Sequence, residues 1–140
     1  MKCIFGISKC PANYPAGGTQ QVCLFRGHLY LVLSAPGGRV YWFLFHELGE
    51  TKHGEDVPRF SKEDESALAA QYRDDNITET ITFGDLYDHR IKSTLVPLEE
   101  HVFRRWHFQR ILIIGDAATK VLHMSPPKNP CPLEKVSEAY

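Results

Sequence analysis

Apolar residues along this chain gather into short runs punctuated by glycine and proline, and the first half has the rhythm of strands. Residues 3–7 form an apolar run rich in β-favouring side chains. Residues 11–18 follow as a loop, with Pro11, Pro15 and the Gly17-Gly18 pair. Residues 21–25 and 29–33 are the next two runs, and Arg26-Gly27-His28 between them is short enough for a hairpin turn. Pro36-Gly37-Gly38-Arg39 is another turn, leading into Val40-Tyr41-Trp42-Phe43-Leu44-Phe45, the most apolar run of the chain. Six bulky residues in a row predict a central strand covered on both faces.

Residues 46–60 are mostly polar and predict a surface loop. Ser61 then opens a helix: it is a good N-cap, and Glu63, Asp64 and Glu65 set negative charge against the positive end of the helix dipole. Leu68 and Tyr72 share a face with Ala67 and Ala70 beside it, and Asn76 is the expected left-handed stop. Residues 77–83 alternate like a half-buried strand, residues 83–90 look like a helical turn, and residues 91–97 return to strand character. Residues 110–118 read as a buried strand ending in a Gly-Asp turn. From Pro126 to Pro132 four prolines exclude helix and central strand, so the last twenty residues are expected to form a loose tail. The fold class that follows is α+β, a mainly antiparallel sheet with one covering helix.

Length and charge narrow the function classes. The chain has 140 residues, one ordinary domain's worth, with 43% hydrophobic and 24% charged residues, which argues against wholesale disorder. Sixteen basic side chains oppose seventeen acidic ones, so there is no basic footprint for nucleic acid, and Arg104-Arg105 before Trp106 is a solvated edge. No apolar run is long enough for a membrane span, and the apolar start is too short for a signal peptide. Cysteines 3, 10, 23 and 131 form no C-x-x-C pair, which predicts reduced thiols in a cytoplasmic protein. Seven histidines include no H-x-x-x-H, and no metal site is expected. There is no serine nucleophile elbow or Cys–His signature either.

The most informative local feature is the strand-like run that ends in Gly115-Asp116-Ala117. An aspartate at a strand's carboxyl end can accept hydrogen bonds from a ligand hydroxyl. It can equally cap the turn that follows, and the tripeptide alone leaves both readings open.

A longer ordered series supplies context: Ile81-Thr82-Phe83-Gly84-Asp85-Leu86, Leu98-Glu99-Glu100-His101-Val102-Phe103, Trp106-His107-Phe108-Gln109-Arg110-Ile111, then Ile114-Gly115-Asp116-Ala117-Ala118 and Lys120. It resembles the C-terminal half of FAD-dependent aromatic-hydroxylase-type monooxygenases. The subgroup it resembles most is the fungal epoxidases and hydroxylases of meroterpenoid and indole-diterpene biosynthesis. Cys3-Ile4-Phe5-Gly6-Ile7-Ser8 and Gly38-Arg39-Val40-Tyr41-Trp42-Phe43-Leu44 are similar to strands of the same family's substrate domain. The resemblance implies a substrate-binding-like domain over residues 1–106, the last strand of a flavin domain over 107–121, and a divergent Pro-rich tail over 122–140. It also implies FAD and NADPH as cofactors and a lipophilic, terpenoid-like substrate. Asp116 matches the family aspartate at the ribityl–phosphate region of the flavin. Tyr41 matches an active-site tyrosine facing the substrate, although a buried core tyrosine would look the same from the sequence. The basic partner expected about a dozen residues before Tyr41 is not evident: Leu29 falls there, with His28 beside it as a stand-in.

The chain also departs from the family. No G-x-G-x-x-G occurs in the 140 residues, Thr119 replaces a family histidine, and no glycine follows Val121-Leu122-His123. Inserting one atom of O₂ needs a reduced flavin, because side chains cannot do it. Without the pyrophosphate loop several charge-assisted hydrogen bonds of ~1.5–3 kcal/mol each are missing. FAD binding by this chain is therefore expected to be weak or absent, and the chain to be incomplete and inactive alone. Residues 111–114 are expected to be an exposed apolar edge that drives self-association. Two rivals remain: a cofactor-free cyclase or isomerase using Tyr41 as acid, and a non-catalytic module that binds a lipophilic ligand or docks on a full-length enzyme.

Overall fold

A computed structural model describes residues 1–15, 17–50 and 54–120. The chain divides after Leu98 into two compact units. The first holds strands β1 (Lys2–Lys9), β2 (Gln20–Phe25), β3 (His28–Ala35), β4 (Arg39–His46) and β5 (Arg90–Pro97), with helices α1 (Lys62–Gln71) and α2 (Phe83–Asp88) between β4 and β5. The strands form one sheet in the order β2-β3-β4-β1-β5, and every pairing is antiparallel. Arg26 and Gly27 alone close the β2–β3 hairpin, since Phe25 pairs with His28. Gly27 takes φ of +82°, which a two-residue turn requires and other side chains resist.

Alternate residues decide which face is sealed. Ile4, Tyr30, Val32, Val40, Trp42 and Leu44 are buried on one face together with Leu68 of α1 and Phe83 and Leu86 of α2. Gly6 lies opposite Trp42 in the β1–β4 register, and a Cβ there would stand 2.0 Å from the indole. The glycine is thus the space in which the Trp42 ring lies. The indole Nε1 donates to Ser8 Oγ at 2.7 Å, and that hydroxyl donates to the Leu86 carbonyl at 2.6 Å. A buried ring nitrogen is satisfied, and the same chain of bonds ties α2 to β1.

Both helices start on capping boxes. Ser61 Oγ accepts from the Asp64 amide while Asp64 accepts from the Ser61 amide, and Thr82 and Asp85 repeat the arrangement for α2. The sequence expected one covering helix and a helical turn, and that turn is α2. Three local expectations need correction. Asn76 does not stop α1, which ends at Gln71 with Tyr72 as C-cap. The buried positions of α1 are Glu65, Leu68 and Ala69, whereas Ala67 and Ala70 face solvent. Residues 77–83 are no strand: the amides of Ile77 and Thr78 both reach the Ile81 carbonyl, a tight loop that turns Ile77 and Ile81 into the core.

The buried acid Glu65 is fully partnered. It accepts from Ser93 Oγ, from Lys62 Nζ at 2.7 Å and from the Tyr87 hydroxyl at 3.5 Å. Lys62 also donates to the Ser93 carbonyl at 2.6 Å. These bonds fasten α1 to β5, and a paired buried carboxylate is tolerable where a lone one is not.

The second unit begins at Glu99. Its described residues form two small antiparallel ladders, β6 (His101–Val102) with β9 (Thr119–Lys120) and β7 (His107–Phe108) with β8 (Ile111–Leu112), and a 3₁₀ turn at Gly115–Ala117. The buried strand expected over residues 110–118 is replaced by the short β7–β8 hairpin, with Ile111, Leu112 and Ile114 exposed by 65%, 66% and 70%. Ala118 is the one hydrophobic residue buried there among the described residues. Two-residue strands have no room to build a core face. The Pro-rich tail and His53 lie outside the described residues.

Candidate functional site

The sheet face opposite the helices carries the other half of each strand. Cross-strand register lays it out in three rows. Val22, Leu31, Phe43, Phe5 and Thr94 form the middle row. Leu24, Leu29, Phe45, Cys3 and Val96 lie on one side of it, and Gln20, Leu33, Tyr41, Ile7 and Lys92 on the other. Phe5 and Phe43 meet edge to face at 5.2 Å, and Phe43 stacks with Phe45 at 6.1 Å. Apart from Cys3 every apolar member of these rows is half-buried or exposed. Among the described residues of the first unit, the central strand expected to be covered on both faces is sealed on one only. Its six consecutive bulky residues hid the alternation, because an apolar face without a helix looks like core in a sequence.

Tyr41 sits on this face, half-buried, flanked by Leu33 and Ile7, and the next position along β4 on the same face is the exposed Arg39, opposite Lys9. The phenol therefore stands at the border between an aromatic surface and a polar rim. His28 does not share that surface. It is buried on the helix side, where its Nε2 meets Asp75 Oδ2 at 2.7 Å, so it cannot stand in as a basic partner for Tyr41. Leu29, at the other position considered, does lie on the aromatic face, opposite Phe45.

Asp116 belongs to the second unit, in the 3₁₀ turn Gly115–Ala117, and is exposed. Gly115 precedes it with φ of +58° and open space where a Cβ would be. The Ala118 amide closes the turn on the Gly115 carbonyl at 2.9 Å, so backbone caps it and the Asp116 carboxylate is not used for that. An uncommitted acceptor beside an unobstructed glycine can take a hydroxyl group.

The thiols add little chemistry. Burial pushes the Cys3 thiol up to about 12 and also raises Cys23, which keeps both protonated and poorly nucleophilic. Cys3, Cys10 and Cys23 are free, and Cys131 lies outside the described residues. Among the described residues no group of three His, Cys, Asp or Glu side chains is placed to hold a metal. No helix among them is long and apolar enough to cross a membrane.

Sequence reasoning missed the aromatic face as a unit, and it missed Glu65 as a buried acid and Asp75 as the partner of a buried histidine. Gly6 in an otherwise bulky β1 was the available signal for the first, since it marks which face Trp42 fills. The acids carried no signal, because a glutamate in the first turn of a helix normally faces water.

Comparison with known proteins gives a consistent set of relatives. The chain is 39% identical over 119 residues to the FAD-dependent monooxygenase esdpE of Penicillium shearii, covering 85% of this chain and 24% of that protein. It is 37% identical over 120 residues to the FAD-dependent monooxygenase paxM of Penicillium paxilli, covering 86% and 25%. It is 38% identical over 120 residues to the FAD-dependent monooxygenase spyC of Aspergillus fumigatus, covering 85% and 25%. The chain thus spans about a quarter of the length of these relatives. No family model and no solved structure matches it.

Proposed function

We propose that the chain is a segment of an FAD-dependent monooxygenase, the proteins to which it is similar over its matched residues, and that its five-stranded sheet is the substrate-side wall of such an enzyme in fungal secondary metabolism. The observation that carries this reading is the aromatic face with Tyr41 at its polar border. An apolar surface of phenylalanine and leucine suits a lipophilic, terpenoid-like substrate, and one phenol at the rim fixes its orientation through a hydroxyl or carbonyl. Tyr41 is a binding group here, able to donate one hydrogen bond at the hydroxyl oxygen.

The residues present fit one contact of a flavin and not its full grip. The Asp116 carboxylate is exposed beside an unobstructed turn and can accept from a ribityl hydroxyl. A diphosphate needs backbone amides on a glycine-rich loop, and no G-x-G-x-x-G occurs in these 140 residues. FAD, when bound, supplies the oxygen activation that side chains lack. Our reading is that the 140-residue chain by itself binds FAD weakly and does not oxygenate. Three free thiols go with a cytosolic setting.

The test is FAD titration of the purified chain by fluorescence quenching, with NADPH consumption followed in parallel. Weak or absent quenching and no consumption are expected, and stoichiometric tight binding overturns the reading of inactivity. Exchanging residues 3–120 for the matching segment of the paxM enzyme tests the wall itself. The exchanged enzyme should keep its flavin and lose product when Tyr41→Phe is added.

The aromatic face also favours a second reading, a lipophilic-ligand binder without chemistry. Saturable binding of a long-chain isoprenoid to the isolated chain, abolished by Phe43→Ser and producing no new compound, supports the binder over a cofactor-free cyclase. Conversion without NADPH supports the cyclase.

A further inference from the structure

On the helix side the two histidines His28 and His46 stand directly opposite each other across β3 and β4, and Lys2 of β1 is the next residue in the same row. His28 is clamped. Its ring lies between Phe25, with centroids 4.8 Å apart and planes 4° apart, and Tyr72, at 4.1 Å and 29°. Its Nε2 meets Asp75 Oδ2 at 2.7 Å, and the Tyr30 hydroxyl donates to the same oxygen at 2.8 Å. His46 leans on the other side of this arrangement, 5.6 Å from the Tyr72 ring. The Nδ1 atoms of both histidines are buried and have no hydrogen-bond partner among the described residues.

The clamp holds more than a ring. Asp75 lies in the turn after α1, where its carbonyl accepts the Phe83 amide at 2.8 Å and the neighbouring Arg73 carbonyl accepts the Gly84 amide at 2.8 Å. Those amides open α2, whose Phe83 is fully buried. The His28–Asp75 contact therefore fastens the exit of α1 and the start of α2 to the sheet.

We propose that His28, His46 and Asp75 form an acid-opened latch: with His46 neutral the turn is held on the sheet, and a proton on His46 releases it. The groups facing the pair are Lys2 from β1, Tyr30 from β3, Glu47 after β4, and Tyr72 and Asp75 after α1, with Cys23 of β2 behind Tyr30. Lys2 already places one positive charge in the row, and the Asp75 carboxylate is taken by His28 and Tyr30 rather than by His46, so an imidazolium at His46 is desolvated beside a like charge. Burial first, then Lys2, holds His46 below the ordinary histidine value of 6.5. The sign follows: a folded-state value below the unfolded one favours the folded, neutral form above 6.5 and loses that stabilisation as the pH falls through it.

Amide hydrogen exchange of Phe83 and Gly84, corrected for the intrinsic pH dependence and read on the full 140-residue chain, tests the latch. Protection of these two amides should fall as the pH drops from 7 to 5, while Val32 and Trp42 in the sheet centre keep theirs. His46→Phe keeps an aromatic ring beside Tyr72 and cannot be protonated, so its Phe83 and Gly84 protection should be flat over that range. Lys2→Met should move the midpoint to higher pH, because it removes the competing charge. A wild-type profile that is flat, or a His46→Phe profile that still falls, overturns the proposal. Carbon-13 and proton shifts of the His46 ring give a reading independent of the variants: they must titrate with the same midpoint as the loss of protection, and a different midpoint also overturns it.

Discussion

Trp42 and Phe43 are neighbours in one strand, yet they live in different environments. Trp42 is fully buried under α2, its nitrogen bonded through Ser8 to a helix carbonyl, with Gly6 making room for its ring. Phe43 is half-buried among Phe5 and Phe45, with no helix of the first unit above it among the described residues. Around Trp42 the helix-side face has its polar atoms paired and its side chains packed against α2, which are the marks of a surface closed by the chain itself. The aromatic face is as apolar but has no covering element among the described residues of the first unit, as the proposed substrate wall requires. Hydrophobicity alone does not distinguish a covered face from an uncovered one; what packs against it does.

The sharpest way to break this comparison is to truncate both neighbours. Trp42→Ala should cost about 3–5 kcal/mol and leave little folded protein, measured by urea unfolding. Phe43→Ser should cost about 1 kcal/mol in the same assay and reduce binding of a hydrophobic dye. Equal losses would mean that the aromatic face is core after all. Gly6→Ala probes the covered face from the other side: driving a methyl into the indole should cost about 3 kcal/mol, with the Trp42 fluorescence shifted because the ring must move. Ser61→Ala removes the α1 cap and should cost about 1 kcal/mol, visible as a lower thermal midpoint. Smallest of all, Tyr41→Phe should change stability by less than about 0.5 kcal/mol, since no hydrogen bond to its hydroxyl is made among the described residues. A large loss there would return Tyr41 to the core.

The strands and turns of the first unit were legible because glycine and proline punctuate them and β-branched residues fill them. Gly27, Pro36 and Gly37 marked hairpins that the structure contains, and Ser61 marked the start of α1. The aromatic face was not legible as a face. Tyr41, Phe43 and Phe45 alternate with Val40, Trp42 and Leu44, so both sets are apolar and periodicity has nothing to report. The loop at residues 77–83 deceived in the opposite way: its alternation of Ile and Thr has strand period, but the Thr82 cap commits the chain to α2 before a strand can pair. Short strands such as β6 to β9 lie below the length at which any period shows. Of the candidate site, Tyr41 was found through likeness to a family. Its place on the rim came only from the register, and His28 fell on the other face for the same reason.

The strand order has a consequence for how the chain assembles. β1 is inserted between β4 and β5, so one neighbour follows it by some thirty residues and the other by more than eighty. By contrast β2, β3 and β4 pair through two tight turns. On a ribosome the β2–β4 meander can zip as soon as it emerges and β1 can then pair with β4, but the second edge of β1, which takes β5, stays open until residue 97 is out. Pulse-labelled exchange during refolding should accordingly protect Val32 before Ile4. The first strand in the unit to be made is then among the last to be locked, and the interval is when a chaperone has most to do.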